Sequence, residues 1–167
     1  GLKEKIIRSI ELYPCDLLFV HRDSDREPRE ARVAEIQGAV QEARRAIAIP
    51  PAVCVVPVRM QEAWLLFDEA AIRRAAGNPN GREEFRLPEL RRVEALPDPK
   101  EELYNLIRTA SGLTGRRLRR LKVRDLSSKA SQVSAYIEDF APLRILPAFR
   151  LLETNLRAVV GEQGWDT

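Results

Sequence analysis

The sequence predicts an α/β protein in which a small parallel sheet is flanked by helices. Two short apolar segments, 16–20 and 52–59, alternate with stretches whose apolar residues recur at helical spacing. This alternation is typical of parallel α/β layer folds. The 167 residues are enough for one domain with an apolar core.

The first half of the chain supplies both predicted strands. A helix over 2–13 ends before Pro14, and Leu17–Val20 is a continuous apolar run, which predicts a strand buried on both faces. A helix over 29–47 follows Pro28, and "AVCVVPVR" at 52–59 predicts a second strand that Pro57 places at an edge or a strand end.

The second half of the chain is predicted to be helical. The segment "QEAWLLFDEAAIRRAAG" predicts one helix closed by Gly77, and 78–99 is a long proline-bearing excursion. Later helices are expected from Pro99 to the residue before Gly112, over 129–140 and over 147–160. The expected organisation is therefore an α/β core over 1–77, with the excursion and C-terminal helices of 78–167 packed on the same domain.

Two strands are few for a sheet that carries so many helices. Because a helical pattern begins directly after Gly1, we expect that the chain is a fragment and that a first strand precedes it.

Composition excludes some classes of protein. Cys15 and Cys54 lack any metal-ligand spacing and read as small apolar residues, which fits a reducing cytoplasm. No apolar stretch approaches the ~20 residues of a membrane span, and we expect no signal peptide. The net charge of +3 is too small to indicate a class of binding partner.

Acidic residues follow both predicted strands. Asp23 and Asp25 come just after the first strand, and Glu62 comes just after the second. Ligands of open parallel sheets bind beyond the carboxyl ends of the strands, and grouped carboxylates repel one another unless a cation neutralises them. A site for Mg²⁺ or Mn²⁺ is therefore predicted, although Asp-Ser-Asp is also a common turn and helix cap.

Other residues near these acids have open roles. His21, the only histidine, is a candidate proton carrier or metal ligand, or a strand residue that faces a helix layer. Arg22 and Arg26 either bind phosphate or neutralise the carboxylates. Trp64 would face away from Glu62 on a helix, which favours a role in core packing.

The segment "GRRLRRLKVR" holds six basic residues within nine positions. Such density suits the backbone of a polyanion, and a solvated helix face with Leu118 and Leu121 turned inward is the alternative. The predicted nucleic-acid contacts are Arg116, Arg117, Arg119 and Arg120. Lys129 is either a further phosphate contact or a surface lysine.

Three families place D-x-D after an apolar strand. Haloacid-dehalogenase-type phosphatases require Thr or Val where Glu27 stands, and metal-dependent glycosyltransferases usually need a larger sheet. The third is the TOPRIM fold of topoisomerases, primases and related nucleases, which also uses a glutamate at the end of its first strand.

Over nearly its whole length the chain resembles the bacterial domain-of-unknown-function 4276 family, which is described as TOPRIM-like. The resemblance rests on "FVHRDSD", "VVPVRMQEAWLLFD" and "LPDPKEELYNLI", and more loosely on "SSKASQVSAYI" and "LPAFRLLETNL". It implies a three-layer TOPRIM-like domain in which Asp23, Asp25 and Glu62 match the acidic residues, Trp64 matches an aromatic partner and Lys129 a basic position. The first-strand glutamate and a glycine often found after D-x-D are missing.

The resemblance further implies metal-dependent nuclease activity and a place in phage defence beside an ATPase partner. We expect Asp23 and Asp25 to hold Mg²⁺ and Glu62 to bind metal or act as general base. The alternative is a non-catalytic sensor or partner-binding module, and a homodimer is a candidate assembly. A nucleotide-handling enzyme is a weaker hypothesis, because the chain has no phosphate-binding glycine loop.

Overall fold

The order of elements follows the predicted alternation. The computed structural model describes residues 1–25 and 27–166. The strands are β1 (Leu18–His21) and β2 (Ala52–Val55). The helices are α1 (Leu2–Leu12), α2 (Arg29–Arg44), α3 (Glu69–Ala76), α4 (Pro99–Ala110), α5 (Gly115–Arg120), α6 (Val123–Tyr136) and α7 (Pro147–Gln163). Short 3₁₀ helices lie at Gln61–Leu65, Leu90–Ala95 and Ala141–Ile145.

The chain divides into two compact units. One contains Gly1–Val58 together with Pro147–Thr167, and the other contains Arg59–Leu146. The sequence analysis placed the boundary of the core at residue 77 instead. The difference arises because α3 packs on α4 and α6, whereas α7 returns to pack on β2.

The first unit, called here the sheet unit, is built on a two-stranded parallel sheet. Leu18 pairs with Ala52 and His21 with Val55. Val20 and Val56 pack with residues of α1 and α2 in one apolar cluster; its other members are Ile6, Ile36, Val40 and Ala43. This observation confirms the α/β class and the parallel sheet.

The prediction that β1 is buried on both faces was wrong. Val20 is 6% exposed, but Phe19 is 51% exposed and His21 is also exposed. Successive side chains of a strand point to opposite faces, and α1 and α2 bury the face that carries Val20. On the other face α7 packs against β2, where Val53 is buried.

The second unit, called here the helical unit, has no strand among its described residues. Its core lies between α3, α4 and α6 and the 3₁₀ turn at Gln61–Leu65. The fully buried side chains of this core include Leu66, Ile72, Leu103, Ile107, Leu126 and Val133.

Several predicted helix bounds require correction. The predicted helix over 61–77 is broken at Asp68, whose carboxylate accepts from the Ala71 N–H at 2.9 Å and so caps a new helix. α6 begins at Val123 and ends at Tyr136, rather than covering 129–140. α7 continues past Gly161 to Gln163.

None of the helices in the described ranges 1–25 and 27–166 is both long enough and apolar enough to cross a membrane.

Candidate functional site

The loop between β1 and α2 holds the predicted aspartates. Asp23 and Asp25 lie beyond the carboxyl end of β1, where the Arg22 N–H still bonds to the carbonyl of Val55 at 3.0 Å. The Ser24 N–H continues the ladder to the Pro57 carbonyl at 3.2 Å, and Ser24 is buried. Asp25 then takes a φ of 53°, a left-handed value that Asp and Asn adopt more readily than most residues. The strand end thus fixes the position of both aspartates.

Each aspartate has a positively charged or proton-donating neighbour. Nε2 of His21 lies 3.1 Å from Oδ1 of Asp23. Because an ionised carboxylate only accepts, the imidazole donates this bond. Nη2 of Arg32 lies 4.0 Å from Oδ2 of Asp25. His21 therefore contacts an acid and does not face a helix layer.

Arg22 of this loop and Arg32 of α2 share a third acid. Arg22 contacts Glu35 at 2.9 Å and Arg32 contacts it at 3.0 Å. The hydrogen bond from Arg32, together with the charges of Arg22 and Arg32, holds the pKa of Glu35 below its usual value. Arg22 thus has an acidic partner. Arg26, the other predicted phosphate contact, lies outside the described residues.

The sequence analysis missed Arg32 and Glu35. They stand three residues apart on α2, a spacing at which opposite charges meet on a helix. Reading the charges of α2 against the preceding loop would have indicated this cluster.

Arg29, the first residue of α2, is the cation of this loop that has no acidic partner within 4.0 Å in the described part of the chain. Its Nε is buried and makes no hydrogen bond. Burial raises the pKa of the Cys54 thiol, and the charge of Arg29 opposes that rise. Among the described residues, the charge of Arg29 is thus not offset by a nearby acid, and a guanidinium group can donate to an anion.

The donor set of this loop suits a hard divalent cation. Mg²⁺ commonly takes one or two carboxylates and keeps several waters, and the side chains of Asp23 and Asp25 are 33% and 58% exposed. Among the described residues, no group of three or more His, Cys, Asp and Glu side chains is arranged so that it could hold a metal ion. The loop itself would supply two carboxylates to such a site.

Glu62 belongs to the helical unit. It lies in the 3₁₀ turn after Met60 and lines a small cavity of about 70 Å³ with three hydroxyl side chains of α6, Ser127, Ser131 and Ser134. Its convergence with the two aspartates of the sheet unit stays a prediction.

Trp64 is a core residue, as its spacing from Glu62 predicted. It is 8% exposed, and its indole N–H donates to Oε1 of Glu94 at 3.3 Å. Burial raises the pKa of Glu94, and the bond from Trp64 opposes that rise. Glu94 is thus a half-buried acid that sequence reasoning missed, because its partner lies 30 residues away.

The basic segment forms α5 and the start of α6. The predicted contacts Arg116, Arg117, Arg119 and Arg120 are all exposed. Leu118 and Leu121 are partly buried, so α5 has one apolar side and a basic exposed surface. Both alternatives from the sequence agree with this arrangement.

Lys129 has a defined structural contact. Its Nζ donates to the carbonyls of Ala75 at 3.0 Å and Ala76 at 3.2 Å, the last two residues of α3. A cation at this position bonds to carbonyls that lack a helical partner and interacts favourably with the helix dipole. The contact gives Lys129 a role in holding α6 to α3.

Comparison of the chain with protein-family models, curated proteins and solved structures found no match in any of the three.

Proposed function

We propose that this chain is a metal-dependent enzyme that cleaves phosphodiester bonds of nucleic acid and has a TOPRIM-like fold, as its resemblance to the domain-of-unknown-function 4276 family implies. The supporting observation is the loop after β1, where the carboxylates of Asp23 and Asp25 lie beyond the end of a parallel strand and Arg29 begins the helix that follows. Ligands of open parallel sheets bind at this place.

In this proposal Asp23 and Asp25 hold Mg²⁺ or Mn²⁺. When bound, the ion would polarise a phosphoryl oxygen and make water a better nucleophile. The bond from His21 orients the Asp23 carboxylate. Arg29 attracts the substrate phosphate, since a guanidinium binds phosphate oxygens through two N–H groups at once.

A role for Glu62 in the reaction rests on the resemblance alone. The match of its segment to the family pattern makes it a third metal ligand or the general base. The same resemblance suggests work in phage defence beside an ATPase.

The test is Mg²⁺-dependent cleavage of supercoiled plasmid and of tRNA by the whole chain. The variant Asp23→Asn/Asp25→Asn keeps side-chain size, and Asn also suits the left-handed φ of residue 25. We expect cleavage by the wild-type chain and only background cleavage by this variant.

The matched control is Asp16→Asn/Glu27→Gln, which removes the same charge from two exposed positions, one before β1 and one late in the loop. This control should cleave like the wild type. Equal cleavage by the wild-type chain and the Asp23/Asp25 variant would remove the assigned site.

A second candidate function is a non-catalytic module that binds a nucleic acid or a partner protein. It is favoured by the contacts of Asp23 with His21 and of Asp25 with Arg32, because both carboxylates then have partners within the protein without a metal ion. Wild-type chain that binds nucleic acid but leaves plasmid and tRNA intact with Mg²⁺ and with Mn²⁺ would support the module and refute the enzyme.

A further inference from the structure

Six exposed basic side chains lie within nine residues of the helical unit and are called here the basic surface: Arg116, Arg117, Arg119, Arg120, Lys122 and Arg124. The first four lie on α5. The other two flank the first residue of α6. Because Leu118 and Leu121 are partly buried, the short helix is held to its unit while its cations face solvent.

The charge of the basic surface is not compensated within the described part of the chain. None of its six cations has an acidic partner within 4.0 Å there, whereas Arg73 and Arg108 of the same unit each contact a glutamate at 2.8 Å. The nearest acid in sequence, Asp125, uses its carboxylate to accept the backbone N–H of Lys122 at 2.9 Å. The surface therefore attracts a polyanion.

The side chains of this region also indicate how that polyanion is bound. Residues 111–135 contain no aromatic residue. The next one, Tyr136, is stacked beneath Arg74, whose Cζ lies 4.3 Å from the ring centroid. Proteins that bind single strands without sequence preference stack bases on aromatic side chains. The segment that carries the basic surface supplies no aromatic platform of its own, which favours contacts with phosphates.

We infer that the basic surface binds the phosphate backbone of duplex nucleic acid without reading its sequence. A duplex carries about one charge per 1.7 Å of axis, twice the density of one strand, and so favours a surface that binds by charge alone. The choice of nucleic acid among polyanions rests on the proposed function, and the inference adds the duplex form and the mode of contact. Lys129 is not part of this surface, because its ammonium group is bound to α3.

The expected salt dependence follows from the geometry of α5. Arg116, Arg119 and Arg120 share one face of the helix, since residues three and four apart are neighbours. Contacts from these three and from one or two cations near α6 give about four phosphates and a slope of log affinity against log salt of about −3.6.

The experiment is fluorescence anisotropy with a labelled duplex of mixed sequence and with one of its strands, in EDTA so that cleavage does not interfere. The test variant is Arg116→Ala/Arg120→Ala. The control variant Arg91→Ala/Arg92→Ala removes the same charge from exposed residues of the same unit. We expect the wild type to prefer the duplex. The test variant should weaken binding about tenfold or more at low salt and reduce the slope by about 2, and the control variant should change neither.

Three outcomes would overturn the inference. Equal losses in the test and control variants would show that only net charge matters. Tighter binding of the single strand would refute the duplex form. Binding of phosphatidylserine vesicles without binding of duplex would replace nucleic acid by a lipid surface. The circular dichroism spectrum shows whether the test variant is folded, and the more conservative pair Arg116→Gln/Arg120→Gln must reproduce its loss.

The outcome is separable from that of the proposed function. Binding is measured without metal and is expected to persist in Asp23→Asn/Asp25→Asn. Duplex binding without Mg²⁺-dependent cleavage would refute the enzyme and leave the basic surface in place. If the wild type cleaves and Arg116→Ala/Arg120→Ala keeps the salt slope of the wild type, the enzyme is supported and duplex binding by the basic surface is refuted.

Discussion

Replacing Lys129 with Met tests whether this lysine holds the helical unit together or contacts nucleic acid. Of the last four carbonyls of α3, those of Arg73 and Arg74 accept N–H groups of Asn78 and Gly77. Those of Ala75 and Ala76 accept the Lys129 ammonium group. Lys129→Met keeps the aliphatic stem and removes the donor for both.

The size of the effect follows from these two bonds. A hydrogen bond to a charged group contributes about 1.5–3 kcal/mol, and a cation at a helix C-terminus about 0.3–1 kcal/mol. The two bonds share one ammonium group and are not additive. Water also reaches Ala76, which is 7% exposed, more readily than Ala75, which is 1% exposed. We therefore expect Lys129→Met to lower the free energy of unfolding by about 2–3 kcal/mol.

The assay is urea unfolding followed by tryptophan fluorescence in a Trp165→Phe background. Trp64 is buried in the helical unit and then reports that unit alone. The comparison variant is Arg120→Met, a cation on α5 with no described partner. Lys129→Met should lose stability and bind duplex normally, and Arg120→Met should show the opposite pattern.

The reasoning fails if Lys129→Met changes the free energy of unfolding by less than about 0.5 kcal/mol, the size typical of surface substitutions. A loss of duplex binding in folded Lys129→Met equal to that in Arg120→Met would restore the sequence-based assignment of Lys129 as a phosphate contact.

Three further predictions concern stability. The pKa of Glu94 is raised in the folded chain, so its favourable contribution is present below pH 4.5 and is lost as pH rises through the raised value. Glu94→Gln should therefore unfold at higher urea than wild type at pH 7 but not at pH 4; equal midpoints at pH 7 would count against this. The pKa of Glu35 is lowered, so its contribution is present above pH 4.5 and is lost on acidification. Glu35→Gln should flatten the acid limb of the stability curve, and an unchanged acid limb would show that its contacts with Arg22 and Arg32 contribute nothing. Gly77 has a φ of 83° after α3, so Gly77→Ala should lower the free energy of unfolding by about 1 kcal/mol in the urea assay, and a gain in stability would contradict the left-handed cap.

Local sequence patterns predicted some of the helix ends that depend on capping residues and proline. α4 begins at Pro99 after Asp98, whose carboxylate accepts the Glu101 N–H at 2.9 Å, and this start is readable from the sequence. The break at Asp68 is also a local capping effect. It was not predicted, because the apolar residues on both sides of Asp68 keep a helical spacing.

Other features depend on residues far apart in the chain. Lys129 reaches carbonyls more than 50 residues earlier, and Trp64 reaches Glu94 across 30 residues. No local spacing encodes either contact. The exposure of Phe19 is likewise a property of the sheet, because the apolar run of β1 does not specify which face the helices cover.

The sequence predicted some features of the candidate site and missed others. The aspartates follow β1 as expected, and the sequence indicated a basic segment that the structure exposes. The cluster of Arg22, Arg32 and Glu35 was missed, since the sequence analysis weighed the acids for metal and not for pairing with α2.

Calorimetric titration of the whole chain with Mg²⁺, repeated with Mn²⁺, tests the central claim most directly. The account predicts saturable binding by the wild type and by Asp16→Asn/Glu27→Gln, and none by Asp23→Asn/Asp25→Asn. Identical heats from wild type and the Asp23/Asp25 variant, or no binding of either ion by the wild type, would contradict it.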